Sequence, residues 1–192
     1  MKKIQNLVLI VLCCFVALAL VSCGGKKDPV LATGDWMTYT DVNDGGDSTS
    51  EMEISEETIG GELKTVYTVW GDVTEQFIYG FAGWGLDADD ETNELYKTAS
   101  MLSFTILGDG NRYSIKFKIS SVKDHAYHQF TFDTEEDEAI TIEVPMEFFM
   151  QPSWGAHARF DQELVTGVEW QTHESWRPGP FRIKMWDFMI HP

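Results

Sequence analysis

The segment Asp41-Val42-Asn43-Asp44-Gly45-Gly46-Asp47-Ser48 gathers carboxylates, an amide and a hydroxyl, the hard oxygen donors that calcium prefers. Counted as an EF-hand loop from Asp41, it places Asn43 at position 3 and Gly46 at position 6, as such a loop requires. Position 5 is Gly45 and position 12 is Met52, so two ligands are missing. Neither flank has the period of an amphipathic helix, and the EF-hand reading fails. The five histidines (His125, His128, His157, His173 and His191) show neither H-x-H nor H-E-x-x-H spacing. With 31 acidic residues, almost any pair could be named a glycosidase dyad, so pairing alone carries no information. There is no G-x-S-x-G and no phosphate-binding glycine loop. The chain is expected to be non-catalytic.

At the N-terminus, Lys2 and Lys3 precede an apolar run from Leu7 to Leu20. That run is short for a membrane span and suits the core of a signal peptide. It ends in Leu20-Val21-Ser22-Cys23-Gly24, which resembles the lipobox of bacterial lipoproteins. The resemblance implies cleavage before Cys23, lipidation of its sulfur, and a place in the bacterial cell envelope, held to a membrane by the lipid. Gly24, rather than an aspartate, directly after the cysteine resembles outer-membrane lipoproteins. Residues 1–22 are then the signal peptide, 23–34 a lipidated tether and 35–192 one domain. Cys13 and Cys14 fall in the removed segment, so the domain has no disulfide, thiolate metal site or cysteine nucleophile. The formal net charge is −17, and loss of Lys2 and Lys3 makes the remainder more acidic still. Nucleic acids and anionic lipid surfaces need positive charge and are excluded as partners.

The domain reads as short β-rich runs between Gly/Asp/Asn clusters. Leu63 to Trp70 and Gln76 to Ala82 are β-branched and aromatic. Met101 to Leu107 alternates, with Leu102, Phe104 and Ile106 on one face. Arg112 to Ile119 follows in strict period two, with Tyr113, Ile115, Phe117 and Ile119 pointing one way. Between them, Gly108-Asp109-Gly110-Asn111 reads as a hairpin turn. His125 to Asp133, Ile140 to Val144, Val165 to Thr172 and Phe181 to Ile190 complete seven or eight strands. The acidic segment at 41–48 is expected to turn from a strand at Trp36 to Thr40 into one beginning near Ser50. Helix is limited to a turn or so at Asn93 to Lys97 and at Met146 to Met150. The expected fold is all-β, an antiparallel sandwich.

Leu102 to Ile115 resembles the F-x-x-x-G-D-G-x-x-Y-x-V segment shared by family 11 carbohydrate-binding modules and the complex I intermediate-associated protein family. Asp44-Gly45-Gly46-Asp47-Ser48, Tyr127 with Phe130, Ile142 to Phe149 and Gly179 to Phe188 are similar to further segments of that superfamily, in the same order. The resemblance spans about residues 35–190 and implies a jelly roll of the galactose-binding-domain type. It implies a non-catalytic domain that binds a glycan, or one that holds an envelope protein. It also implies a ligand surface on a concave sheet face or on the loops. Opposite the core, the strands carry Ser103, Thr105, Arg112, Ser114, Lys116, Tyr127, Gln129, Glu169 and Gln171. Of these, Tyr127, Arg112, Gln129 and Glu169 form a candidate platform of one ring and several polar groups. Trp84, Trp154 and Trp176, in glycine- or proline-bearing segments, are candidate stacking rings. Trp170 and Trp186 are expected in the core. In related sandwiches a structural calcium ties an early loop to the last strand, which nominates Asp41, Asp44, Asp47 and Asp187. Trp186 stands where the family has an aspartate.

Overall fold

The computed structural model describes residues 27–172 and 178–192. Eleven strands are seen among the described residues: β1 (Val30–Leu31), β2 (Gly34–Thr40), β3 (Thr49–Ile59), β4 (Glu62–Val73), β5 (Ala82–Ala88), β6 (Met101–Leu107), β7 (Arg112–Ile119), β8 (Gln129–Asp133), β9 (Ala139–Pro145), β10 (Val165–Thr172) and β11 (Gly179–His191). They form two sheets. One has the order β3-β4-β11-β6-β9, with β1 also on β11; the other has the order β2-β5-β10-β7-β8. All described pairings are antiparallel. The fold is the antiparallel sandwich expected.

Alternation explains the core. Leu102, Phe104 and Ile106 of β6 meet Tyr113, Ile115 and Phe117 of β7 across the gap between the sheets, all fully buried. Trp170 lies at the centre, with Trp36, Trp84, Phe104 and Phe188 around it at ring separations of 4.9 to 6.1 Å. Trp170 and Trp186 are both buried, as expected of large aromatics in a sandwich. In β11 the inward positions run Ile183, Met185, Phe188, Ile190. The extra residue is a bulge at Trp186–Asp187, where Asp187 takes φ 51° and the register against β6 shifts. The edge strand β3 carries Glu51, Glu53, Glu56 and Glu57.

Several sequence expectations are corrected. Gly108 to Asn111 is not a hairpin turn, since β6 pairs with β9 and β11 while β7 pairs with β8 and β10. It is an arch between sheets. Both strands present an apolar side to one core, which local alternation reports identically for a hairpin and an arch. Asp109 ties the corner: its carboxylate accepts from Tyr113 Oη at 2.8 Å, Arg182 N at 3.0 Å and Asn111 N at 3.2 Å. The acidic segment at 41–48 likewise crosses between sheets, from β2 to β3.

The run at Gln76 to Phe81 is a loop, although its residues favour strands. The strand begins at Ala82 and includes Trp84, which is fully buried and is not a loop ring. Glycines misled the reading there, because Gly83 and Gly85 mark close packing and not a turn. A Cβ at Gly83 would lie 2.5 Å from both the Trp170 carbonyl oxygen and the Tyr39 ring. The acidic cluster Asp87 to Glu91 spans the end of β5 and the start of α1 (Asp90–Thr98). Asp89 caps that helix by accepting from Thr92 N at 2.8 Å. The second helical expectation is a 3-10 turn at Met146–Phe148.

Candidate functional site

Residues of β2, β5, β10, β7 and β8 whose neighbours point into the core form the outer face of the five-stranded sheet. Register places them in rows across the strands. One row holds Tyr39, Gly83, Gln171, Ser114 and Thr131; the next holds Met37, Gly85, Glu169, Lys116 and Gln129. A third runs Asp35, Asp87, Gly167 and Lys118. Tyr127 extends it at the β8 side, because Phe117 N donates to His128 O and so carries the ladder back one step beyond Gln129. At the other end, Phe81 pairs with Asp41 by the bond Asp41 N to Phe81 O.

Gly83 and Gly85 leave the middle of β5 bare, and two side chains lie down over it. The Tyr39 ring crosses Gly83, and its hydroxyl donates to Trp170 O at 3.2 Å and to Gln171 Oε1 at 3.4 Å. The Glu169 stem covers Gly85, where a Cβ would meet its Cγ at 3.1 Å. Lys116 Nζ donates to Gln171 Oε1 at 2.9 Å. Lys118 pairs with Asp87 and lies 3.9 Å from Glu169. The floor is thus a half-buried ring set among amide, carboxylate and ammonium groups whose geometry is fixed before any ligand arrives.

Electrostatics follow from that packing. Burial raises the Glu169 carboxyl above its ordinary value of 4.5, opposed by Lys118, Lys116 and His125. Burial also raises the Tyr39 and Tyr127 phenols, and the Glu169 charge raises both further. Folding therefore favours the protonated form of Glu169. The ionised carboxylate costs stability that is regained as pH falls from the raised folded value through the ordinary one. Glu169→Gln is expected to raise Tm at neutral pH relative to wild type, with the gain vanishing below the ordinary glutamate value of 4.5. A thermal melt series against pH reads this directly, and a difference independent of pH would contradict it.

The structure sorts the sequence candidates. Tyr127, Gln129 and Glu169 share this face, as do Lys116, Ser114 and Gln171. Arg112 lies at its far margin, held by Asp133 at 2.6 and 2.9 Å. Ser103 and Thr105 belong to β6 in the other sheet and do not reach it. Trp84 is corrected to the core. Trp154 is exposed, at the tip of a loop that Gln151 and Asp124 pin down. Gln151 donates to Ala126 O at 3.0 Å and Ala156 O at 2.8 Å, and Asp124 accepts from Ala156 N at 2.6 Å. That bond draws the Trp154 loop against the segment leading into Tyr127. Trp176 and Cys23 lie outside the described residues. Tyr39 and Asp87 were missed, though Trp36 facing inward would have put Tyr39 on the outer face by parity.

The four calcium candidates are not brought together. Asp41 is fully buried, and its carboxylate accepts from Ser48 N at 3.0 Å, Ser48 Oγ at 2.7 Å and Phe81 N at 3.2 Å. Asp47 accepts from Thr74 Oγ1 beyond the end of β4, and Asp44 is exposed. Asp187 pairs with Lys64 at 2.9 Å, near the start of β4 and so at the opposite end of that strand. Among the described residues, no group of three or more His, Cys, Asp or Glu side chains is placed to hold a metal ion. The acidic segment instead holds the loop at 74–81. Ser48 Oγ accepts from Thr74 N at 3.1 Å, and Gln76 Nε2 donates to Gly45 O at 3.1 Å.

Among solved structures, the chain is similar to a family 11 carbohydrate-binding module of a cellulosomal cellulase of Clostridium thermocellum. Identity is 18%, the TM-score is 0.56, and 88% of this chain and 96% of that one are covered. An exo-beta-agarase is similar at 8% identity and TM-score 0.55, over 86% of this chain and 25% of that one. These likenesses show the fold. No curated protein matches the sequence. The sequence pattern of complex I intermediate-associated protein 30 matches residues 26–185, from ahead of β1 to the middle of β11. The chain belongs to the complex I intermediate-associated protein 30 family.

Proposed function

We propose that this chain is a lipid-anchored protein of the bacterial envelope whose five-stranded face binds a glycan without catalysis. The observation that carries the reading is the floor made by Tyr39 lying over Gly83, bordered by Gln171, Glu169, Lys116 and Tyr127. A pyranose offers a C–H face to a ring and hydroxyls to amides and carboxylates, and this floor offers both at fixed positions. The cations here do not stand alone: Lys118 is engaged by Asp87, Lys116 by Gln171 and Arg112 by Asp133. The face thus suits an uncharged sugar chain. The likeness to a carbohydrate-binding module supports the reading at the level of the fold.

Affinity electrophoresis through gels containing soluble β-glucans and envelope polysaccharides tests it. Retardation is expected, and Tyr127→Ala or Tyr39→Ala should weaken it about tenfold, which corresponds to about 1.4 kcal/mol. No retardation in any gel, or retardation indifferent to both substitutions, would sink the reading. Anchoring through Cys23 is checked in the same preparations by whether Cys23→Ser moves the protein out of the membrane fraction.

Family membership favours a second reading, in which the same domain holds a protein during assembly, as the family's name describes. Crosslinking in envelope extract separates the two. A protein partner whose capture persists in Tyr39→Ala and survives added glycan would favour assembly.

A further inference from the structure

The loop between β4 and β5 exposes Ile78 and Tyr79, at 82% and 68%, yet hydrogen bonds tie it down at both ends. Asp41, Ser48, Gly45 and Asp47 supply its partners: Asp41 and Phe81 exchange bonds, Ser48 Oγ takes Thr74 N, Gly45 O takes Gln76, and Asp47 takes Thr74 Oγ1. Gly80 N donates to Phe77 O at 3.0 Å, and the Phe77 and Tyr79 rings meet edge to face at 5.8 Å. Phe81, at the root of the loop, lies 6.1 Å from the Tyr39 ring. The loop is therefore continuous with the binding floor at its β2–β5 corner.

A second ring-bearing loop stands at the diagonally opposite corner. There Tyr127 ends the third row at β8, and the pinned segment with Trp154 packs beside it. Three strand spacings and six residues of β5 separate Tyr127 from Phe81, a diagonal of about 25 Å by standard sheet dimensions. Along that diagonal lie Tyr127, Lys116, Glu169, Gln171, Tyr39 and Phe81.

We infer that the ligand is an extended, unbranched chain of uncharged sugars lying along this diagonal, with Tyr79 as the platform for the unit at its far end. This rests on the glycan reading proposed above. An anionic membrane as the occupant of the Ile78–Tyr79 tip is disfavoured by Asp44, Asp47 and Glu75, which flank it. An aromatic ring on a loop tied at both ends and backed by the Phe77 ring loses less entropy when a sugar stacks on it than one on a free loop would.

Titration calorimetry with β-gluco-oligosaccharides of increasing length, disaccharide to hexasaccharide, tests the inference. Wild-type affinity should climb through the longest members. Tyr79→Ala should leave the disaccharide unaffected and lower hexasaccharide affinity about tenfold, flattening the length dependence. Trp154→Ala should flatten it as well if the diagonal is occupied end to end. Tyr79 is exposed, so its alanine variant is expected to melt like wild type, and melting it alongside checks that. Wild type that climbs with length while Tyr79→Ala climbs equally would overturn this inference and leave the glycan reading standing. Wild type that binds no member of the series, with no retardation in the gels, would overturn both.

Discussion

Asp41→Ala is expected to lower stability by on the order of 3 kcal/mol, because two backbone donors, Ser48 N and Phe81 N, lose their acceptor in a fully buried site. For a domain of this size that is a fall in Tm of roughly 6–12 °C. The Ser48 hydroxyl loses its acceptor too, so its own grip on Thr74 N weakens and the damage spreads along the loop. Amide exchange should accelerate at Phe81 and Thr74 well beyond the global change, since the loop at 74–81 is released before the sandwich opens. A Tm within a degree of wild type, with those amides still protected, would show that the network is ornamental. Gly46 belongs to the same device. A Cβ there would fall 2.2 Å from the Asp41 carboxyl carbon, so the glycine is fixed by the buried aspartate and not by turn flexibility.

Trp84→Ala is expected to cost about 3–5 kcal/mol, and Trp154→Ala less than about 0.5 kcal/mol. Both tryptophans sit in glycine-bearing sequence, and a chemical denaturation pair separates their roles. Trp84 is fully buried, stacked 6.1 Å from Trp170 and edge-on to Tyr113 at 5.8 Å, so alanine opens a large cavity between the sheets. Its indole N–H has no acceptor among the described residues, so Trp84→Phe gives up packing volume and no hydrogen bond to the described residues. That variant should stand much nearer wild type than alanine does. Equal loss in Trp84→Phe and Trp84→Ala would mean that the ring's bulk is not what holds the site.

The contrast between these two tryptophans shows what the sequence could tell and what it could not. Parity along β7 and β10 correctly separated Tyr113, Ile115 and Trp170 from Lys116 and Glu169, because each strand has one wet face. It could not place Trp84, since Gly83 and Gly85 look like loop residues until Tyr39 and Glu169 are seen lying across them. Nor could alternation say which sheet a strand joins, which is why 108–111 reads as a hairpin and 41–48 as a plain turn between successive strands. The apolar run Phe77-Ile78-Tyr79 has strand-forming residues, yet nothing local reveals that Asp41 holds it outside the sheet. Long-range hydrogen bonds decided these cases, and sequence spacing does not encode them. Tyr39 is a different omission, since its parity was available from Trp36.

The glutamates along β3 have a consequence for how anything can dock on this molecule. An edge strand of eleven residues, paired on one side with β4 and open on the other, would ordinarily be a template on which another chain could add itself, extending the sheet through main-chain bonds. Glu51, Glu53 and Glu56 would set like charges beside an incoming acidic copy of the same protein, while Glu57 is held by Lys184, so the molecule guards that border against itself. Strand addition at that border is disfavoured for its own kind, while β9, β2 and β8 form the other edges of the two sheets.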